Sequence, residues 1–280
     1  MQGSRTSAAV LFWAVLGAGS LFSSGPAAAV DGPVIITQAK ALAGNVTPGD
    51  HAGFPVSITR PGSYVLGGTL KPVAGKNGIV VSADNVTLDL NGFGLDGGDV
   101  AANGIITVGK PRINLTVRNG TIAQFTGGGV YAPILVIGRF QDLRIYHNTG
   151  TGIVTGPHAQ VSDSVIATNE GNGISCQSYC LVSSNIVSNH LGDGVRIASG
   201  SVVGNTIDYN RGLGIDAFQA AGAGNNSLIH NNSPGGVQTR NVYGMQPNAC
   251  EPACSYVPAD PTSAQASSRT GALRGPAPSR

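Results

Sequence analysis

This sequence predicts an all-β fold, a parallel β-helix wound as a solenoid, and three observations carry that expectation. The first is a repeat. From residue 149 the same line is written four times, as TGTGIVTGPHAQVSDSVIATN, EGNGISCQSYCLVSSNIVSNH, LGDGVRIASGSVVGNTIDYN and RGLGIDAFQAAGAGNNSLIHNN. The second glycine of each line, continued into the next, falls at Gly152, Gly173, Gly194, Gly214 and Gly236, at spacings of 21, 21, 20 and 22. A fixed period of that size means stacked supersecondary units.

The second observation is the period inside a unit. Ile153/Thr155, Ile174/Cys176, Val195/Ile197 and Ile215/Ala217 alternate with outward positions, which is the period of a strand. A second strand follows with Val161, Val182 and Val202 in register, and five residues later come Ile166, Val187 and Ile207. The third observation is length. A unit of this size has no room for a helix with an apolar face, so leucine-rich and helical repeats are excluded and a β-solenoid rung remains.

Along the chain, residues 1–29 read as a secretory signal: Arg5, an apolar run over 8–22, and the small-residue site Ala27-Ala28-Ala29. The apolar run is too short to span a bilayer, and no later stretch could do so. Residues 30–75 do not fit the repeat and stand where a cap for the first coil belongs. Coils are expected over 76–257. The early ones are longer, with Gly78, Gly104 and Gly129 preceding Gly152 at intervals of 26, 25 and 23. Residues 258–280, rich in Pro, Ser, Ala and Gly and without a period, read as a disordered tail.

The segments TRPGSYVLGGTL, NVTLDLNGFGLDGG and NLTVRNGTIAQF, with the repeated glycine rungs, resemble the secreted bacterial β-helix proteins of the pectin-lyase-like superfamily. The resemblance covers roughly residues 55–254. It implies a right-handed, single-stranded helix of about eight coils, and a secreted or periplasmic location. Superfamily enzymes include pectate lyases, polygalacturonases and alginate epimerases acting on acidic polysaccharides. The signatures DPHD, a paired Asp-Asp and RxPxxR are absent from this sequence, which weakens the enzymatic expectation.

Composition narrows function further. Charged residues are 11% and the formal net charge is +2, so no basic surface for nucleic acid is expected. Four cysteines in an exported chain read as two disulfides. Three connectivities are possible, and the simplest is local, Cys176 with Cys180 and Cys250 with Cys254. Zinc is the weaker alternative, because the pairs stand 74 residues apart. Asn148, Asn169, His190, Asn210 and Asn232 share one position and are expected to form a corner ladder between coils. Asp89 and Arg118 are expected to pair across neighbouring coils. Asp96 and Asp99, in a glycine-rich loop, are at most a thin calcium site, and no other cofactor is expected.

One cluster stands out. The outward residues of the opening strand read Val80, Ile106, Tyr131, Val154, Ser175, Arg196, Asp216 and Gln238, passing from apolar to polar along the axis. Asp193 sits beside Arg196, in the Gly-x-Gly corner of the same coil, and Tyr209 and His230 lie on the other side of the same coils. Asp193, Arg196 and Asp216 are therefore the candidate catalytic or sugar-binding residues, against the simpler reading of an exposed ion pair. Two functions remain open: a non-catalytic extracytoplasmic solenoid that binds polysaccharide or a cell-surface glycan, and a lyase, hydrolase or epimerase acting on acidic glycans.

Overall fold

A computed structural model of the chain describes residues 32–257, Pro234 excepted. The expected signal segment and tail lie outside the described residues. The chain coils into a right-handed parallel solenoid whose three walls each gain one short strand per turn. The opening wall stacks Val56–Ile58, Ile79–Val81, Ile105–Thr107, Val130–Ala132, Ile153–Thr155 and Ile174–Cys176, then residues 195–197, 215–217 and 239–240. Nine rungs stand in register there, one more than the expected eight.

The second wall runs from Val34–Ile36 through Gly62–Leu66, Val86–Asp89 and residues 115–118 and 138–141 to Gln160–Ser162 and Cys180–Ser183. The third contains Gly94–Asp96, Val165–Ala167, Ile186–Ser188, Thr206–Asp208, Ser227–Ile229 and Ala249–Glu251 among its strands. Residues 34–66 therefore already contribute stacked strands, and the coils begin well before residue 76. What separates them from the repeat is an insertion. Helix α1 (Gln38–Ala43), capped by the Thr37 side chain on Lys40 N–H, interrupts the first coil. Its Ala41, with Val46 and Phe54 after it, is buried in the common core.

Alternation builds that core. On each short strand the first and third residues of the opening wall point in, so Ile79, Ile105, Val130, Ile153, Ile174, Val195 and Ile215 form one continuous buried column. Identical side-chain positions stack about 4.8 Å apart, so β-branched residues of similar size pack on one another along the interior. The inward column beside it carries Thr107 and Thr155, whose hydroxyls are buried with no partner among the described residues.

Corners need a different solution, because each turn leaves backbone N–H groups pointing along the axis. The expected ladder supplies it over most of its length. Phe125 N–H donates to the Asn148 side chain, Asn148 N–H to Asn169 Oδ1, Asn169 N–H to His190 Nδ1, His190 N–H to Asn210 Oδ1 and Asn210 N–H to Asn231 Oδ1. The last member corrects the sequence expectation: it is Asn231, not Asn232. The final coil is lengthened by the turn around residues 232–236. Gln238 takes up the position that glycine holds in the preceding coils, and its Oε1 accepts Asn231 N–H.

A second ladder went unnoticed in the sequence. Ser164, Asn185, Asn205, Asn226 and Asn248 accept in the same way at the next corner. Their spacings of 21, 20, 21 and 22 are as regular as those of the first, and that period was the available signal. Two disulfides, Cys176–Cys180 and Cys250–Cys254, brace the solenoid locally.

Candidate functional site

The polar column of the opening wall holds Arg196 directly opposite Asp216, and Asp216 opposite Arg240. Gln238 is the expectation that fails here. It is fully buried, and Arg240 stands in its place on the outward column. The longer last coil is again the cause, since a register shift of two residues preserves the face but exchanges the side chain.

Arg240 dominates the geometry. Its Nε and Nη2 each donate to one oxygen of Asp216 at 2.6 Å, a two-pronged pair. Arg196 Nε approaches Asp216 Oδ2 from the coil below at 3.8 Å, and its guanidinium lies 5.7 Å from the centre of the Phe218 ring. The carboxylate of Asp216 is 1% exposed although it points outward, because the two guanidiniums cover it. The bond to Asp216 raises the already high pKa of Arg240 further.

Asp193 belongs to another corner. Its Oδ1 accepts Leu213 N–H at 2.8 Å, while its own N–H donates to Asn172 Oδ1, which continues a third, shorter series of cross-coil bonds. Burial is the main cause of a raised Asp193 pKa, opposed by the Leu213 N–H and reinforced by Asp216. A cleft of about 560 Å³ opens over this corner, lined by Asp193, Leu213, Arg240, Asn241 and Tyr256 among others. Asn232, displaced from the ladder, lines the same cleft and donates to Val237 O.

The three residues singled out in the sequence are thus neighbours, but they are not equivalent. Asp216 is enclosed by arginines, Arg196 is half-exposed over a ring, and only Asp193 presents a carboxyl to the cleft. Arg240 was missed because it lies 24 residues after Asp216, outside the period of the preceding coils.

Other expected sites are placed plainly. Arg118 Nε meets Asp89 Oδ2 at 2.9 Å, the cross-coil pair read from the sequence. Asp96 accepts Gly98 N–H and faces Lys71 Nζ at 3.3 Å, and Asp99 faces Gln124. Tyr209 and His230 stack on the third wall's corner, their rings 4.8 Å apart. His190 is completely buried in its ladder, where burial pushes its pKa down to about 4. Its Nδ1 accepts from Asn169 N–H and its Nε2 faces Ile166 O, so the neutral ring carries its proton on Nε2.

Comparison with known proteins agrees with this architecture. The A-module of mannuronan C-5 epimerase AlgE4 from Azotobacter vinelandii superposes with a TM-score of 0.51 at 13% identity, covering 76% of this chain and 70% of that one. The A-module of mannuronan C-5 epimerase AlgE6 from the same organism gives a TM-score of 0.44 at 14% identity, over 75% of this chain and 68% of that one. At such identities the AlgE4 likeness concerns the fold. No curated protein matches the sequence. Residues 103–244, half of the chain, match the family described as the right handed beta helix region, and the chain belongs to that family.

Proposed function

We propose that the protein is an extracytoplasmic solenoid that binds glycans through its wall faces without transforming them. The observation that carries this reading is the state of Asp216. Glycoside hydrolysis needs two positioned carboxyl groups, one able to give up or take a proton. Of the two aspartates in the candidate cluster, Asp216 has both oxygens engaged by Arg240 and a second guanidinium beside it. Arg196, the arginine that the superfamily analogy would make a proton acceptor beside a uronate carboxylate, instead has the Asp216 carboxylate as its ion-pair partner. The two disulfides favour an oxidising compartment, in keeping with the signal read in residues 1–29.

Asp193 supports a second reading, a polysaccharide-modifying enzyme. A half-buried carboxyl of raised pKa at a cleft beside an arginine is the kind of group active sites use. Two measurements separate the readings. A glycan array probed with the mature protein is expected to show binding. Pectate and alginate, with and without calcium, are expected to show no rise in absorbance from unsaturated uronate and no change in uronate configuration by NMR. Turnover that Asp193→Asn abolishes while the fold persists would replace binding by catalysis.

A further inference from the structure

A groove on the second wall, away from the arginine–aspartate cluster, is the place where this solenoid is best equipped to hold a sugar chain. Its cavity of about 430 Å³ runs over four consecutive coils. Thr87, Thr116, Arg139 and Gln160 stand in one outward column, each directly opposite the next. Arg118 and Gln141 form the neighbouring column. Rungs repeat about every 4.8 Å, close to the length of one pyranose in an extended chain, so a glycan lying along the axis would meet a fresh pair of polar groups at each sugar.

The charges differ from those of the opening wall. Arg118 is neutralised by Asp89, whereas Arg139 is in no ion pair among the described residues. The groove thus offers one free guanidinium among amides and hydroxyls. A flat apolar surface flanks it. At the adjoining corner the rings of His158 and Tyr179 stack at 4.9 Å with their planes within 12°, and Tyr179 is 70% exposed. Below them the half-exposed Ile137 shares the left-handed corner backbone of Asn114, His158 and Tyr179 in the neighbouring coils.

Resting on the glycan-binding reading above, we infer that this groove binds an extended, hydroxyl-rich glycan bearing isolated acidic sugars. Arg139 takes one carboxylate in a two-pronged contact. Gln141, Gln160 and the two threonines bond the ring hydroxyls, and the Tyr179 ring covers the apolar face of a pyranose. A chain with an acid on every residue is disfavoured, because the groove neutralises only one charge and the Asp89 carboxylate lies at its edge.

Calorimetric titration of the mature protein tests this with three probes: xylohexaose, xylohexaose carrying a single glucuronate branch, and hexagalacturonate. The singly acidic probe is expected to bind about ten-fold or more tightly than either of the others. Arg139→Gln should erase its advantage over plain xylohexaose, and Tyr179→Ala should weaken both. Arg144→Gln, an exposed arginine of the same strand beyond the bend at Asp142, should change neither. Equal affinity for substituted and plain xylohexaose, or tightest binding of hexagalacturonate, would overturn the sparse-charge assignment. Array hits that Arg139→Gln and Tyr179→Ala leave intact would remove the groove while leaving glycan binding in place. An array without hits would remove both.

Discussion

Between Leu90 and Ala101 the chain closes its corners partly on themselves and partly on the neighbouring coil, whereas from Asn148 to Asn231 side chains of the adjacent coil take the corner N–H groups. In the early region Phe93 N–H donates to Leu90 O, Ala101 N–H to Gly97 O, and Asn91 and Gly98 N–H to the side chains of Asp89 and Asp96 two residues back. These are turns that satisfy their own backbone, and they take residues to build, which is why those coils run to 26 and 25. From Asn148 to Asn231 the coil shrinks to 20 or 21 and few residues remain for such turns. Side chains from the adjacent rung then take over, with Asn oxygens accepting corner N–H groups and Asn amides donating to buried carbonyls. A shorter coil therefore couples its neighbours more strongly, and it makes single corner residues more costly to lose.

The sharpest way to break this contrast is to remove one corner residue from each region. Asn205 accepts from Asn185 N–H and donates to Val182 O, all buried. Asn205→Ala strands both groups and is expected to cost about 3–4 kcal/mol in urea unfolding, at about 1–3 per unpaired buried group. Asn91→Ala, at an exposed early turn, is expected to cost less than about 1 kcal/mol. Equal losses would mean that the ladders carry no more than the local turns.

Acid tests the same ladder through its one titratable member. The His190 pKa is lowered to about 4 in the fold against an ordinary value of 6.5. The unfolded chain therefore binds a proton between those values that the folded chain does not. Stability is full above about pH 6.5 and falls as the pH drops towards 4, by up to about 3 kcal/mol. Protonated Nδ1 would also point a hydrogen at Asn169 N–H. His190→Asn, which keeps an acceptor in the ladder, should flatten the unfolding midpoint between pH 6.5 and 4. A midpoint that stays equally steep in that variant would assign the acid sensitivity elsewhere.

The smallest effect asks whether the two regions differ in their cores as well as their corners. Thr107 in an early coil and Thr155 in a late one hold the same inward column, each with an unpartnered buried hydroxyl. Replacing either by Val is expected to raise stability by about 1 kcal/mol, and by the same amount in both. A gain confined to one region would show that the interior, too, changes along the axis.

Much of this was legible without coordinates, because a solenoid turns a one-dimensional period into three-dimensional neighbours. Residues one period apart become contacts, so the Ile153 column, the Asp89–Arg118 pair and most of the Asn ladder follow from counting. Counting fails where the coil length changes. The turn at residues 232–236 lengthens one coil, and after it the expected Gln238 yields to Arg240; Asn231, one regular period of 21 after Asn210, replaces Asn232 ahead of that turn. The early strands over 34–66 were obscured in the same way, since helix α1 and its loop break the period between two stacked strands.

By itself, then, the sequence determined the solenoid, its interior and most of one corner ladder, since these depend on spacing within coils of constant length. Only the tertiary structure decided which charges meet. Register in the last coil places Arg240 rather than Gln238 on Asp216 and so engages both oxygens of that carboxylate. It is also the folded wall that leaves the Arg139 guanidinium without an ion-pair partner among the described residues, because partnership between side chains depends on the positions of neighbouring coils, which a local pattern does not contain.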